Sequence, residues 1–226
     1  MFRLKKLDDD VMKLVHPPMD VKPTLKPATS EDLIKLPADF LAAQPSSFSH
    51  MVCAAAVFHN DRLLLIQRSA EESYPGHWEL PGGMAEPDDK TLRDAVSREL
   101  REETGLDVKR FLAQIVPAET FETGWGKRQK RWLKVCFVVE VESRVKVLAE
   151  KETNVQEHEN TVSNEVGEPT ITLNPKEHQR HLWITEEELH AEKIGEEKLQ
   201  FIAEAQVATL NTAFRMHKSQ LDALEA

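Results

Sequence analysis

The sequence predicts one α/β domain with an N-terminal extension, and three observations support this class. Between residues 52 and 142, short apolar runs alternate with turns, as paired strands do. A glycine-containing loop leads into a regularly patterned helix, and a second amphipathic helix closes the chain. With 226 residues, 40% of them hydrophobic, the chain is long enough for an ordinary core.

The composition excludes several classes of protein. No run approaches the roughly 18 consecutive apolar residues of a membrane-spanning helix, and Asp8, Asp9 and Asp10 interrupt any N-terminal signal peptide. Cys53 and Cys136 lie in apolar runs and are too few for a disulfide scaffold or a cysteine zinc site. The formal charge of −10 disfavours nucleic-acid binding. We therefore expect a cytoplasmic protein with neither a membrane nor a nucleic-acid partner.

The first 50 residues are predicted to be a proline-rich extension. They hold six of the twelve prolines and none of the eight glycines, and prolines at this density exclude long helices and central strands. Short helices are expected around residues 4–15 and 30–36, because Ser30 followed by two acids is a typical helix start. We expect this extension to pack, partly ordered, on the main domain.

The main domain, residues 51–195, contains the predicted strands. The runs VCAAAVF and LLLIQ flank the turn HNDR, and a longer pair surrounds a loop that contains glycine. In chain order, the predicted strands are residues 52–58, 63–67, 78–80, 107–122, 132–142 and 182–184.

Two segments complete the predicted organisation. Residues 149–168 are polar, and we expect a long insertion there. Residues 196–226 are predicted to form a C-terminal amphipathic helix that packs on the domain. The apolar residues that recur there at helical spacing are Leu199, Ile202, Ala203, Leu210, Ala213 and Phe214.

The segment LPGGMAEPDDKTLRDAVSRELREETGL, residues 80–106, is the most informative about chemistry. Gly82 and Gly83 permit another group to approach the backbone closely. The helix after them is expected to begin near residues 88–91, where Thr91 and Asp94 have the spacing of a capping box, and to end at Gly105. Loop and helix therefore form one unit.

Three glutamates of this helix fall where apolar residues belong. With Leu92 set at zero on a helical wheel, Glu99 lies at about −20°, Glu102 at about −80° and Glu103 at about 20°. Carboxylates that share the protein-facing side repel one another, and burial increases the penalty. A cation among their oxygens relieves the repulsion, and oxygen ligands favour Mg²⁺ or Mn²⁺. Salt bridges to internal arginines and protonation of one carboxylate stay open as alternatives.

These residues resemble the Nudix box of the Nudix hydrolases. Gly83 occupies the glycine position of the box, and RELREETGL, residues 98–106, fits its second half without a mismatch. The lead-in WELPGG and the strand order from residue 51 to 189 are similar as well. The first half departs from the pattern, because Asp89 stands in place of Glu and one extra residue separates it from Arg98.

The resemblance implies a Nudix-type α/β/α sandwich with a mixed β-sheet. It also implies a hydrolase that cleaves a diphosphate linkage by attack of water on phosphorus, with Mg²⁺ or Mn²⁺ as cofactor. The metal ligands that the resemblance implies are Glu99, Glu102, Glu103 and the carbonyl of Gly82. The three glutamates are also the implied catalytic residues. The residues expected to hold the box in shape are Gly83, Asp89, Arg98 and Gly105, with Asp89 reaching Arg98 from the lengthened loop.

Five residues outside the box are predicted to contact the substrate. Arg68 ends a strand near where the family often places a phosphate-binding arginine, and Glu119 lies near the end of a strand before a loop. Trp125 precedes a run of four cations in five residues and could stack on a base. Glu177 and His178 precede the last predicted strand. For each residue, the alternative is an ordinary position at a strand end or a hairpin tip.

The expected substrate is a small molecule with a diphosphate, in the leading hypothesis linked to a nucleoside, and the protein is expected to be a monomer or homodimer. Two alternatives stay open: a Nudix-fold nucleotide sensor that has lost catalysis, and a hydrolase of prenyl or other non-nucleoside diphosphates. The presence of all three inner glutamates favours the enzyme, because a sensor is expected to lose them.

Overall fold

A computed structural model gives the fold of the chain and describes residues 28–142 and 167–225. The strands are β1 (His50–His59), β2 (Arg62–Arg68), β3 (Trp78–Glu79), β4 (Gly82–Met84), β5 (Val108–Thr123), β6 (Lys130–Val141), β7 (His178–Ile184), β8 (Lys193–Ile194) and β9 (Glu197–Lys198). The α-helices are α1 (Pro37–Ala42), α2 (Leu92–Thr104), α3 (Glu186–Ala191) and α4 (Glu204–Glu225). Single turns of 3₁₀-helix lie at Asp32–Ile34 and Gly126–Arg128.

Seven of the strands form a mixed sheet. Neighbouring strands follow the order β3-β2-β1-β6-β5, while β4 pairs with β1 and β7 with β2. β1 and β6 run parallel, and the other pairs of this sheet are antiparallel. β1 pairs with β2 at Phe58 and His59, but with β4 at residues 52–54. The sheet therefore opens between β1 and β2, and the glycines of β4 lie in this opening.

Helices cover both faces of the sheet, and residues of β1 alternate between two cores. Cys53 and Val57 lie in a core with Leu100 of α2, whereas Ala54 lies in a second core with Phe214 of α4. Because both faces of β1 are buried, its sequence is a continuous apolar run rather than an alternating one. The predicted α/β/α sandwich with a mixed sheet is confirmed.

The predicted strands are confirmed, with shifts at their ends. In the extension, the turn at Asp32–Ile34 replaces the expected helix of residues 30–36, and α1 follows it unpredicted. Phe40 of α1 is buried in the core on the side of α2, so the described part of the extension packs on the domain. The helix expected at residues 4–15 and nearly all of the expected polar insertion lie outside the described residues.

The predicted start of the C-terminal helix is wrong. Residues 193–198 form the β8–β9 hairpin, and α4 begins only at Glu204. Leu199 is nevertheless buried, because the segment after the hairpin runs beside β3, where Phe201 pairs with Trp78. Leu199 is therefore buried by a segment that runs beside a strand and not by a helical face, although its spacing from the later apolar residues suggested a helix. In the described part of the chain, no helix combines the length and the apolar character needed to cross a membrane.

Candidate active site

Two glycines of β4 bring the backbone against its neighbours. A Cβ atom on Gly82 would lie 2.4 Å from the carbonyl oxygen of Cys53 and 2.5 Å from Cα of Ala54, both backbone atoms that cannot move aside. A Cβ atom on Gly83 would lie 2.6 to 2.8 Å from the carboxylate atoms of Glu99. The glycine pair therefore lets β4 pair with β1 and lets a carboxylate rest directly on the backbone.

The helix that carries the glutamates has the expected ends. The side chain of Thr91 accepts a hydrogen bond of 3.1 Å from the backbone N–H of Asp94, and Gly105 ends the helix in the left-handed conformation with φ of 73°. The N–H of Gly105 donates to the carbonyl of Arg101. These caps hold α2 at residues 92–104, as its sequence predicts.

The three glutamates do not all face inward. Glu99 and Glu103 are buried, but the side chain of Glu102 is 57% exposed. The prediction that Glu102 points into the protein is therefore wrong. Its wheel position lies at the margin of the buried face, and there the helix borders open solvent rather than the sheet.

Arg98 connects the box loop to the helix. Its guanidinium donates two hydrogen bonds to the carboxylate of Asp89, of 3.0 and 2.9 Å, and one of 2.8 Å to Glu99. A further bond of 3.1 Å reaches the carbonyl of Met84, and the exposed Glu102 lies 3.4 Å away. Asp89 thus reaches Arg98 despite its shorter side chain and the extra loop residue.

Burial makes the inner carboxylates hard to ionise. It raises the pKa of Glu99 to about 7, although Arg98 opposes the shift. Burial also raises the pKa of Glu103 well above its usual range, and the nearby carboxylates of Glu79 and Glu99 add to this shift. Such a cluster gains stability from any positive charge that enters it.

Glu103 lies among groups from β4 and from the beginning of β7. The N–H of Gly82 donates a 2.6 Å hydrogen bond to one of its oxygens, and Nδ1 of His178 lies 3.8 Å from the other. Within the described residues this buried Nδ1 has no hydrogen-bond partner. Ligand atoms of Glu103, Glu177 and His178 all lie within 4.8 Å of one another. The structure therefore brings Glu177 and His178, predicted as substrate contacts, to the carboxylate cluster, where the donor set fits a divalent cation.

Glu79 is a residue of this site that the sequence patterns do not predict. One of its carboxylate oxygens lies 3.3 Å from Nε2 of His178 and accepts a 2.6 Å hydrogen bond from Arg68. Burial raises the pKa of Glu79, but the hydrogen bond with His178 and the charge of Arg68 outweigh it, so the net shift is downward. The sequence signal for Glu79 is a charged residue next to Trp78 in a short strand, a position where an apolar residue is expected.

The remaining predicted residues lie at different places. Arg68 is at the edge of the site, where its second carboxylate partner is Glu72 at 3.0 Å. Glu119 lies on β5 and accepts a 2.6 Å hydrogen bond from Thr209 of α4. Trp125 lies on the loop between β5 and β6, and the residue is 61% exposed.

Comparison with known proteins gives a family for these residues. The family model of the NUDIX domain matches residues 49–205, more than half of the chain, which confirms the resemblance to Nudix hydrolases. CTP pyrophosphohydrolase of Escherichia coli (strain K12) is 45% identical over 56 residues, a stretch that spans 25% of this chain and only 41% of that relative.

Solved structures with a similar arrangement include two NUDIX proteins of low sequence identity. The MutT NUDIX hydrolase from Burkholderia pseudomallei is 20% identical, with 72% of this chain and 96% of that chain covered and a TM-score of 0.46. The NUDIX domain of Shewanella oneidensis NrtR, complexed with ADP ribose, is 18% identical, with coverages of 80% and 97% and a TM-score of 0.46.

Proposed function

The chain belongs to the NUDIX family, and from the site that its residues build we propose a divalent-metal-dependent hydrolase of a diphosphate linkage in a nucleoside diphosphate derivative. One observation carries this proposal. The buried carboxylates of Glu99 and Glu103 converge on the backbone of Gly82 and Gly83. Two buried, ionised carboxylates destabilise the fold unless a cation lies between them. The same cation would neutralise the negative charge of a diphosphate substrate.

The residues that would hold Mg²⁺ or Mn²⁺ are Glu99, Glu103, the exposed Glu102 and the carbonyl of Gly82, with Glu177 and His178 beside them. When bound, such an ion neutralises diphosphate oxygens and lowers the pKa of a bound water. The N–H of Gly82 holds one oxygen of Glu103 at 2.6 Å and thereby orients the carboxylate. Arg98 orients Glu99 in the same way at 2.8 Å.

Two groups beside this cluster complete the proposed roles. Glu177 is half-buried and close to Glu103, so it is our candidate for taking a proton from the attacking water. Arg68 keeps a positive charge at the rim, held in place by Glu79 and Glu72. We propose that its guanidinium contacts phosphate oxygens of the substrate.

The substrate class rests on sequence similarity. The 45% identity with a CTP pyrophosphohydrolase over 56 residues supports a nucleotide as substrate. The acidic character of the chain agrees with a small anionic substrate brought in by a metal ion rather than with a nucleic acid.

A hydrolysis screen tests the proposed function. The purified chain is incubated with Mg²⁺ or Mn²⁺ and a panel of nucleoside triphosphates, ADP-ribose, dinucleoside polyphosphates, NADH, FAD, sugar nucleotides and prenyl diphosphates. We expect metal-dependent hydrolysis of the diphosphate linkage in at least one nucleotide of the panel. Excess EDTA should abolish this hydrolysis. A flat result with every compound contradicts the proposal and favours a nucleotide sensor, while activity on prenyl diphosphates alone favours the non-nucleoside alternative.

A further inference from the structure

A lysine lies largely buried on the sheet beside the candidate site. Lys134 occupies the middle of β6, and its side chain is 14% exposed. Residues two and four positions later, Cys136 and Val138, lie in the core on the side of α4, so Lys134 shares that face. A charge in such a place requires an explanation, because buried ammonium groups need partners.

Within the described residues, the ammonium of Lys134 has one carboxylate partner. Glu119, its cross-strand neighbour on β5, lies 3.9 Å away, which is too long for a hydrogen bond. Burial lowers the pKa of Lys134, but Glu119 and other acids raise it more, so the group stays charged. An ammonium has three N–H donors, and the surrounding residues of the described chain leave these donors available.

Glu119 is held in place from the other side. Its carboxylate accepts a 2.6 Å hydrogen bond from Thr209 of α4, and its side chain is only 12% exposed. A fixed acceptor therefore stands beside a largely buried ammonium group, and both are nearly shielded from water. Such a pair discriminates strongly between ligands, because a ligand that cannot satisfy it leaves a buried charge unpaired.

The register places this pair close to the candidate site. Lys134 pairs with Val52 of β1, and Val52 pairs with Met84 of β4, the residue after the glycine pair. Two strand spacings give about 10 Å between Lys134 and β4. The charge of Glu79, which contacts His178 and Arg68, also acts on Lys134. The distance of about 10 Å between Lys134 and β4 is comparable with the length of a ribose together with the first atoms of the attached base.

An aromatic pair lies next to the charged pair on the same face. Phe121, two residues after Glu119, is the cross-strand neighbour of Trp132, two residues before Lys134, and their ring centroids lie 5.6 Å apart with planes inclined by 5°. Flat apolar rings beside a donor and an acceptor suit a ligand group that is planar and polar at its edge. A prenyl chain offers neither an acceptor nor a donor.

We propose that Lys134 and Glu119 determine substrate specificity by binding the edge of a nucleobase, with Lys134 donating to a carbonyl or ring nitrogen and Glu119 accepting from an N–H. This inference rests on the proposed function and names the part of the substrate that the box does not contact. Thr209 acts as a positioning residue that orients Glu119.

Kinetics with and without the base test this inference. The nucleoside triphosphate with the highest kcat/KM is compared with ribose 5-triphosphate, which lacks a base, for the wild type and Lys134→Met. A charge-assisted hydrogen bond contributes about 1.5 to 3 kcal/mol, so KM for the nucleotide should rise about 10- to 150-fold. KM for ribose 5-triphosphate and kcat should change little. An equal effect on both substrates, or on neither, overturns the inference.

The matched control is Lys109→Met. Lys109 lies on the neighbouring strand β5 and also pairs with a glutamate, Glu140, at 2.5 Å, but it is exposed. This variant should keep wild-type constants for both substrates. If Lys134→Met does not fold, Lys134→Arg tests the inference instead, because it keeps the positive charge beside Glu119 and changes only the geometry of the donor. It should change the ratios of kcat/KM among CTP, UTP, ATP and GTP by at least about 10-fold, and unchanged ratios overturn the inference.

The two proposals fail in different ways. A wild type that hydrolyses no diphosphate in the screen contradicts the proposed function. In that case, the role of Lys134 in base recognition is tested by equilibrium binding of the four nucleotides and of ribose 5-triphosphate to the same variants. Binding that is insensitive to the base or to Lys134 overturns the inference alone.

Discussion

Arg98 and Asp89 form a two-point ion pair, with Nε to Oδ1 at 3.0 Å and Nη2 to Oδ2 at 2.9 Å. Asp89 is buried and also accepts a 2.7 Å hydrogen bond from the N–H of Glu86. The pair joins the loop after β4 to the second turn of α2, and the same guanidinium orients Glu99. The lengthened loop therefore keeps the contact that holds the box together.

Replacing Asp89 by Ala should weaken both the fold and the site. The guanidinium of Arg98 would lose its bidentate partner, and breaking a largely buried pair costs about 2 to 4 kcal/mol. Urea denaturation measures this loss. Asp88→Ala is the control, because Asp88 is the exposed neighbour in the same loop. Equal stability of the two variants contradicts the assigned role of Asp89.

The stability of the metal-free protein should fall as the pH rises from about 4.5 to about 7. The folded state raises the pKa of Glu99 to about 7, so over this interval it binds more protons than the unfolded state. The stabilisation is complete below the unfolded pKa and is lost as Glu99 ionises. The contribution is about 3 kcal/mol at most.

Denaturation in EDTA at pH 5 and pH 8 checks this dependence. Glu99→Gln cannot ionise at this position, so its stability should depend less on pH than that of the wild type. Added Mg²⁺ should stabilise the wild type more at pH 8 than at pH 5, because protons compete with the ion. Identical pH profiles for the wild type and Glu99→Gln would exclude a buried, titrating Glu99.

Gly82→Ala should be strongly destabilising. The added methyl would lie 2.4 Å from the Cys53 carbonyl oxygen, so β4 would have to separate from β1. Overpacking of this kind costs about 1 to 3 kcal/mol or more, and it would also displace the N–H that holds Glu103. Thermal unfolding measures the loss. Gly167→Ala is the control, since a Cβ there meets nothing within 4 Å, and a similar Tm for both variants contradicts the close approach.

Local patterns predict much of this fold because they depend on neighbours in sequence. The apolar runs of β1 and β2 and the caps at Thr91 and Gly105 follow from short-range physical chemistry. The direction of Glu102 was mispredicted because a helical wheel describes the helix and not the extent of the surface on which it packs. Nor does the wheel show where the sheet ends.

Contacts between distant segments could not be predicted from one sequence. His178 meets Glu103 and Glu79 only because β7 pairs with β2 and brings the beginning of β7 to the opening of the sheet. The ion pair of Lys134 and Glu119 likewise depends on the register of β5 with β6, which contains irregularities just before Glu119. Sequence patterns establish the residue types, whereas topology decides which of them meet.

The most direct test of the central claim is the activity of Glu103→Gln with the best nucleotide substrate and Mg²⁺. The amide keeps the shape of the side chain but removes the charge that would hold the ion, so we expect the wild-type fold by circular dichroism and hydrolysis reduced by at least about 100-fold. Exposed Glu102→Gln, assayed beside it, is also expected to lose most of its activity. Near-wild-type turnover by both variants would contradict the assignment of this carboxylate cluster as the metal-dependent active site.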